Sequence, residues 1–371
     1  MKRSALRTGA SALLATVLVA GPLAASALAC TPHGHDAPRA KALPSSVFAP
    51  YLDVTAVDSI AQTAKDAGSK YLTLAFLQAD KPGSCDLTWA GDPAKSVASG
   101  ALADEIAKVR KAGGDVIPSF GGYSATNDII DWANNPANLT EIADSCKDVT
   151  KLAKAYEQVV TTYGVTRLDF DIEGTSITNK EGVDRRNEAA ALVQQWAKKN
   201  HRTLEISYTL PSSTTGLVQS GLDLLKSAAA HGVVISSVNI MTFDYWDGAV
   251  HDMVADAEQA ATALTGQLKA TILPHASQAE LWRHVGVVQM IGTDDYRSPE
   301  GVATDIFTPQ QAVTFERWAK KHQLAYLGFW ALQRDNGSCP DATVAQNNCS
   351  GIEQDTWAFT KAFKPFTSNH R

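Results

Sequence analysis

The chain reads as an α/β protein of the (β/α)8 TIM-barrel class, folded as a single domain, and three observations predict it. Short apolar runs recur eight times, at Val47–Asp53, Tyr71–Phe76, Val116–Phe120, Leu168–Ile172, Leu204–Thr209, Val238–Phe243, Val285–Ile291 and Ala325–Ala331. Amphipathic stretches lie between them, such as Leu102, Ile106 and Val109, or Val313, Phe315 and Trp318, spaced as on a helix. Polar and aromatic groups collect at the carboxyl ends of the runs, the end at which a barrel carries its chemistry. The count alone would also fit a doubly wound open sheet. The convergence of those groups on one mouth favours the barrel.

Residues 1–29 precede the fold. Lys2, Arg3 and Arg7 form a positive head, Ala10 to Ala20 is apolar, and Ala27-Leu28-Ala29 supplies small residues for cleavage, so the segment reads as an export signal and not a membrane span. Its removal takes the net charge from −6 to −9. That acidity, without any basic stripe, argues against a nucleic-acid partner. Residues 30–45 lack periodicity and read as a flexible tether in which His33 and His35 are incidental. Residues 46–371 make up the folded domain. The expected location is extracellular; because Cys30 directly follows the cleavage site, a cell-surface lipoprotein anchored through Cys30 is the alternative.

Export permits disulfides. Cys339 and Cys349 are close in sequence across an Asn-rich loop and are expected to pair, which leaves Cys85 and Cys146 to bridge two loops. Closing the shorter loop stabilises by roughly 2–3 kcal/mol in the chain-entropy picture.

The fourth run carries the most information. A helical pattern from Val149 to Tyr163 and a Gly164 turn lead into it, forming an αβ unit of a parallel sheet covered on both faces. Side chains alternate along a strand, so Asp169, Asp171 and Glu173 share one face while Leu168, Phe170 and Ile172 share the other. Like charges roughly 6.5–7 Å apart cannot all ionise cheaply when buried. At least one pKa rises, which holds a proton for general-acid use. An exposed edge strand with solvated acids is the bland alternative. A metal site is not expected, since oxygen-ligand sites draw on several segments and no EF-hand loop or HExxH pattern occurs. No cofactor is expected either. The same ends of other runs carry Gly121-Gly122, Asp244-Tyr245-Trp246, Asp294-Asp295 and Trp330.

Together these residues resemble family 18 of the glycoside hydrolases, the chitinase-like barrel enzymes. Asp169-x-Asp171-x-Glu173 matches the last three acids of the DxxDxDxE signature. Ser119-Phe120-Gly121-Gly122 matches SxGG, Met241-Thr242-Phe243-Asp244-Tyr245 matches the sixth-strand motif, and Trp330 falls on the last strand. The chain departs from the pattern twice: Thr166-Arg167 replaces Asp-Gly, and Phe243 stands where many members have Tyr. Tyr245 is the candidate to supply the missing hydroxyl.

The resemblance implies a secreted chitinase that hydrolyses β-1,4-linked N-acetylglucosamine by substrate-assisted retaining catalysis, acting on chitin or chito-oligosaccharide as a monomer. It implies that Glu173 protonates the glycosidic oxygen while the substrate acetamide attacks the anomeric carbon. Asp171 then orients the acetamide, and Asp169 holds Asp171 and shares its proton. Substrate-binding candidates are Trp330 as the sugar platform, with core packing as its alternative reading, and Met241, Asp244, Met290 and Asp295 along the cleft. Ser119, Gly121 and Gly122 are expected to serve close packing under the acids. Trp246 and Trp89 read equally as platform extensions or as packing. Two alternatives remain: an endo-β-N-acetylglucosaminidase acting on N-glycans, and a non-catalytic chitin-binding lectin, which would be expected to lack Glu173.

Overall fold

The Val47–Asp53 stretch is paired on both sides, and this closes a ring. Val47–Phe48 pairs in parallel with Tyr326–Trp330, while Tyr51–Asp53 pairs in parallel with Tyr71–Ala79. Pro50 sits at the changeover, where it has no N–H to leave unpaired, and its carbonyl accepts from Thr73 N at 2.9 Å. A computed structural model describes residues 40–125, 140–296, 305–340 and 342–367. The leader, Cys30 and most of the tether lie outside the described residues.

The eight staves are β1 (Val47–Phe48 and Tyr51–Asp53), β2 (Tyr71–Ala79), β3 (Asp115–Gly121), β4 (Arg167–Asp171), β5 (Glu205–Ser213), β6 (Ile235–Met241), β7 (Val285–Met290) and β8 (Tyr326–Trp330). Neighbours pair in parallel in chain order, so the open-sheet alternative is set aside. Each apolar run falls on one stave. The ends differ most at β5, which continues through Pro211 to Ser213 as it enters a hairpin with Gly216–Leu217, and at β6, whose start is concealed by Ser236 and Ser237.

A main helix follows each stave, with shorter helices at Ile142–Ser145, Gly174–Thr178 and Gln278–Trp282 besides: α1 (Ile60–Ala67), α2 (Ala103–Lys111), α3 (Val149–Tyr163), α4 (Lys180–Lys199), α5 (Gln219–His231), α6 (Met253–Thr271), α7 (Pro309–His322) and α8 (Ala358–Phe363). Their boundaries follow local chemistry. Asp148 caps α3 by accepting from Thr150 N and Lys151 N, and Gly164 ends it in the left-handed region. Thr308 and Gln311 form a reciprocal capping box at α7, with Pro309 in the first turn. Helix α2 starts one residue after Leu102, which is itself left-handed, and buries Ile106 and Val109.

The layer between staves and helices is aromatic around β4. Phe170 packs on Phe120, Tyr156 and Tyr208 at centroid distances of 5.3, 5.1 and 5.6 Å. Trp89 belongs to this scaffold as well: it is fully buried and its indole N–H donates to the Tyr163 hydroxyl at 2.9 Å, so packing is its role. Cys85 bonds Cys146 across 61 residues and Cys339 bonds Cys349 across 10. In the chain-entropy picture these closures contribute about 4 and about 3 kcal/mol. Among the described residues no helix is long and apolar enough to cross a membrane.

Candidate active site

Strand β4 is anchored at its amino end and chemical at its carboxyl end. Arg167 pairs with Glu205 of β5 at 2.7 Å, and the Thr166 hydroxyl faces the carbonyl of Lys41. The two positions that depart from the family signature therefore lie at the opposite end of the strand from Glu173. Leu168, Phe170 and Ile172 are completely buried, as the packed face requires. Asp169 and Asp171 turn into the barrel, and Glu173 continues the extended backbone (φ −127°, ψ 175°) before capping the short helix Gly174–Thr178. The alternation thus carries all three acids on one side up to the mouth.

Five donors converge on Asp169. The Tyr51 and Ser119 hydroxyls donate to Oδ2 at 2.9 and 2.8 Å, Ser207 donates to Oδ1 at 2.7 Å, and the Thr209 hydroxyl reaches both oxygens at 3.1 and 3.2 Å. Asn239 adds a longer bond at 3.4 Å. Burial raises the Asp169 pKa, but the four hydroxyls pull it back. Asp171 has no such relief. It is 5% exposed and its Oδ1 is buried without a hydrogen-bond partner. Burial first, then the charges of Glu173 and Asp169, push it well above the carboxylate range. The row's proton is therefore favoured on Asp171, whereas the charge of Asp169 is the one compensated by donors.

A second carboxyl approaches Glu173 from β6. Asp244, left-handed at φ 53°, donates its backbone N–H to Asp294 Oδ2 at 3.1 Å. Burial, the contact with Asp294, and the charges of Asp294, Asp295 and Glu173 push its carboxyl up to about 10. Glu173 is thus flanked by two carboxyls, Asp171 and Asp244, whose pKa values are both raised. Behind this rim Arg334 is entirely buried and donates to the carbonyl of Thr293 at 2.7 Å. Burial lowers its guanidinium to about 10, partly offset by the charges of Asp295, Asp294 and Asp244, so it remains a fixed cation behind the acids.

Aromatic rings floor the mouth. Trp330, half-buried at the end of β8, stacks on Phe76 at 5.7 Å and 11°, and both rings lie about 6 Å from Tyr51. Gly122 makes room for this: a Cβ there would sit 2.4 Å from the Phe76 ring. Gly121 makes room for the acids: its φ is +100°, and a Cβ would sit 2.2 Å from the Asp171 carbonyl oxygen. We expect Gly121→Ala to cost about 2–4 kcal/mol, from left-handed strain plus displaced backbone. Thermal denaturation checks this, and an unchanged Tm would contradict it.

Met241 and Met290 are buried next to the mouth, and Met290 is in register with Trp330. Asp294 is buried whereas Asp295 is exposed on the rim. Tyr245 lies with its ring on His251 at 4.6 Å and its hydroxyl buried without a partner. Burial and then the charges of Asp256, Asp294, Asp305 and Asp247 raise its pKa. Asp256 lies in the first turn of α6 and the others in the loops of the mouth, so its main electrostatic neighbours are not the β4 row. Trp246 is 64% exposed beside Tyr296. Sequence reading had not singled out Tyr51, Phe76, Ser207, Thr209, Asn239 or Arg334. Their signal was available in part: a hydroxyl or amide on an inward position of an otherwise apolar stave needs a buried partner.

A closed barrel with a carboxyl row at its carboxyl-terminal mouth, a proton stored beside the outermost acid and an aromatic floor defines a barrel glycoside hydrolase. Residues 48–292 match the model of glycosyl hydrolases family 18, and the chain belongs to that family. The chain is 32% identical over 340 residues to a probable bifunctional chitinase/lysozyme of Escherichia coli K12, covering 88% of this chain and 35% of that protein. It is 32% identical over 305 residues to Endochitinase 11 of Metarhizium anisopliae, covering 80% of this chain and 53% of that one. It therefore spans about a third and about half of the length of these two curated relatives. The crystal structure of the catalytic domain of a hyperthermophilic chitinase from Pyrococcus furiosus superposes with a TM-score of 0.73 at 30% identity, covering 89% of this chain and 97% of that one.

Proposed function

We propose that the protein is a secreted, monomeric chitinase that hydrolyses β-1,4-N-acetylglucosamine linkages with retention, using the substrate's own acetamide as nucleophile. One observation carries this reading: the carboxyl beside Glu173 is buried with one oxygen left without a hydrogen-bond partner, and burial and its acid neighbours push its pKa up, which favours the protonated form. A neutral Asp171 is a poor nucleophile, but it is a good hydrogen-bond partner for an acetamide. The substrate then supplies the attacking oxygen, and a cyclic oxazolinium takes the place of a glycosyl-enzyme ester. Glu173 takes up the proton stored beside it on Asp171, gives it to the departing glycosidic oxygen, and afterwards takes one from the water that opens the ring. Asp171, an anion once its proton has passed to Glu173, and Asp169 offset the positive charge that develops on the ring nitrogen. Trp330 presents an indole face to the sugar's CH surface. The names of the similar chitinases support the choice of substrate. The leader and the two disulfides support export.

The test is product analysis on N-acetylated chito-oligosaccharides beside the fully de-N-acetylated oligomers. We expect β-anomeric products from the first and no cleavage where the reacting sugar lacks its acetamide. Equal rates on both, or inversion at the anomeric carbon, would overturn the mechanism. Binding without cleavage would favour the lectin alternative, and cleavage confined to N-glycans would favour the endo-β-N-acetylglucosaminidase.

A further inference from the structure

We propose that Asp144, in the short helix Ile142–Ser145 between β3 and α3, is a positioning residue for the general acid: it grips the turn that follows Glu173 and fixes where that carboxyl stands. The inference rests on the reading of Glu173 given above. Asp144 is 3% exposed and spends each oxygen on the segment after Glu173. The Ser176 hydroxyl donates to Oδ2 through a short bond, and Asn179 Nδ2 donates to Oδ1 at 2.7 Å. Ser176 in turn donates its backbone N–H to the Glu173 carbonyl at 3.0 Å, and Asn179 caps α4 through Gly182 N. Gly182 has no side chain where one would be: a Cβ there would lie 1.9 Å from Asp144 Oδ1. The carboxylate is wedged between the acid's own turn and the helix behind it.

The anchor is itself tied down on several sides. Glu141 accepts from the Ala143 and Asp144 N–H groups at 2.9 and 3.0 Å, and pairs with the buried Arg186 of α4 at 2.7 Å. Ser145 donates to the carbonyls of Lys81 and Ser84, and Cys146 is bonded to Cys85. Structural glue alone would not need this aim. Both bonds of Asp144 end within six residues of Glu173, and a misplacement of about 1 Å at a reacting group costs on the order of 100-fold in rate.

The charged and titratable groups facing Asp144 are Glu141, Arg186, Lys147 and Tyr156. Burial and then Glu141 raise its carboxyl to about 6, against the opposing pull of Arg186, Ser176 and Lys147. Protonation removes the charge that strengthens both bonds, and a proton on Oδ1 would face Asn179 Nδ2, which can only donate. Wild-type kcat should therefore fall as pH drops through about 6.

The test is steady-state hydrolysis of a chito-oligosaccharide across the pH range by wild type, Asp144→Asn and Ser176→Ala, with Tm and amide hydrogen exchange on the same samples. We expect both variants to lose about 10- to 100-fold in kcat with KM little changed. Asp144→Asn should also lose the acidic limb that wild type shows. Exchange at the Ser176 and Ile177 amides should quicken. Unchanged kcat with a lowered Tm in both variants would make Asp144 merely structural, and an acidic limb that survives in Asp144→Asn would also overturn the proposal. A wild type inert on the oligosaccharide would refute the reading of the site itself. In that case the amide exchange alone decides: unaltered protection at Ser176 and Ile177 removes the grip.

Discussion

Replacing Glu173 with glutamine should lower kcat on a chito-oligosaccharide by roughly 100- to 10,000-fold, the usual contribution of a positioned general acid, without lowering Tm. The rate loss follows from chemistry, because an amide has no proton to give the leaving sugar. The preserved Tm follows from electrostatics. Glu173 does not use its side chain to cap the helix it precedes, so glutamine leaves that helix start as it is. Its charge is among the causes that raise both Asp171 and Asp244. Taking it away lessens the cost of ionising either neighbour and breaks no contact between like charges at neutral pH, so Tm should hold or rise slightly. Steady-state rates and calorimetry on the same preparation check both halves. Normal turnover would remove Glu173 from the mechanism, and a large drop in Tm would mean that the acid also serves as a structural tie.

The staves and the acid row were legible in the sequence because both obey a short period. Buried parallel strands are continuous apolar runs, and alternation along β4 is enough to put Asp169, Asp171 and Glu173 on one face. The helix end at Gly164 was equally local, and the caps at Asp148 and Thr308, which the structure adds, are of the same short range. What the sequence withheld was non-local. Tyr51 meets Asp169 across 118 positions and Asn239 across 70, and neither periodicity nor spacing records such a meeting. The same holds for Asp144, whose partners on the far side of β4 come from a different segment. Phe76 and Arg334 look like ordinary core or surface residues until the ring closes and places them under Trp330 and behind Asp294. Trp89 shows the converse: a tryptophan in a loop after the second run invites a platform role, and its bond to Tyr163 assigns it to the scaffold.

The contrast between the two inner acids gives the second large effect. Asp171→Asn should reduce kcat by about 100- to 1,000-fold, the scale seen when one preorganised partner of a developing charge is lost, yet it should leave the fold at least as stable at neutral pH. Asp169→Asn should do the opposite to stability and cost about 2–4 kcal/mol, because an amide turns an NH2 toward hydroxyls that now donate to a carboxylate. The pH dependence separates them further. The Asp171 pKa is raised in the folded chain, so the folded state keeps a proton that the unfolded chain releases above about 4. Its contribution to stability is therefore greatest below that value and is lost as pH rises toward the folded-state pKa. The asparagine side chain of the Asp171→Asn variant cannot titrate, so its stability should fall less steeply between about pH 4 and neutrality than that of wild type. Denaturation midpoints at several pH values, read beside kcat, check this. Parallel slopes in wild type and Asp171→Asn would mean that the stored proton lies elsewhere, and with it would go the argument that the enzyme leaves nucleophilic attack to its substrate.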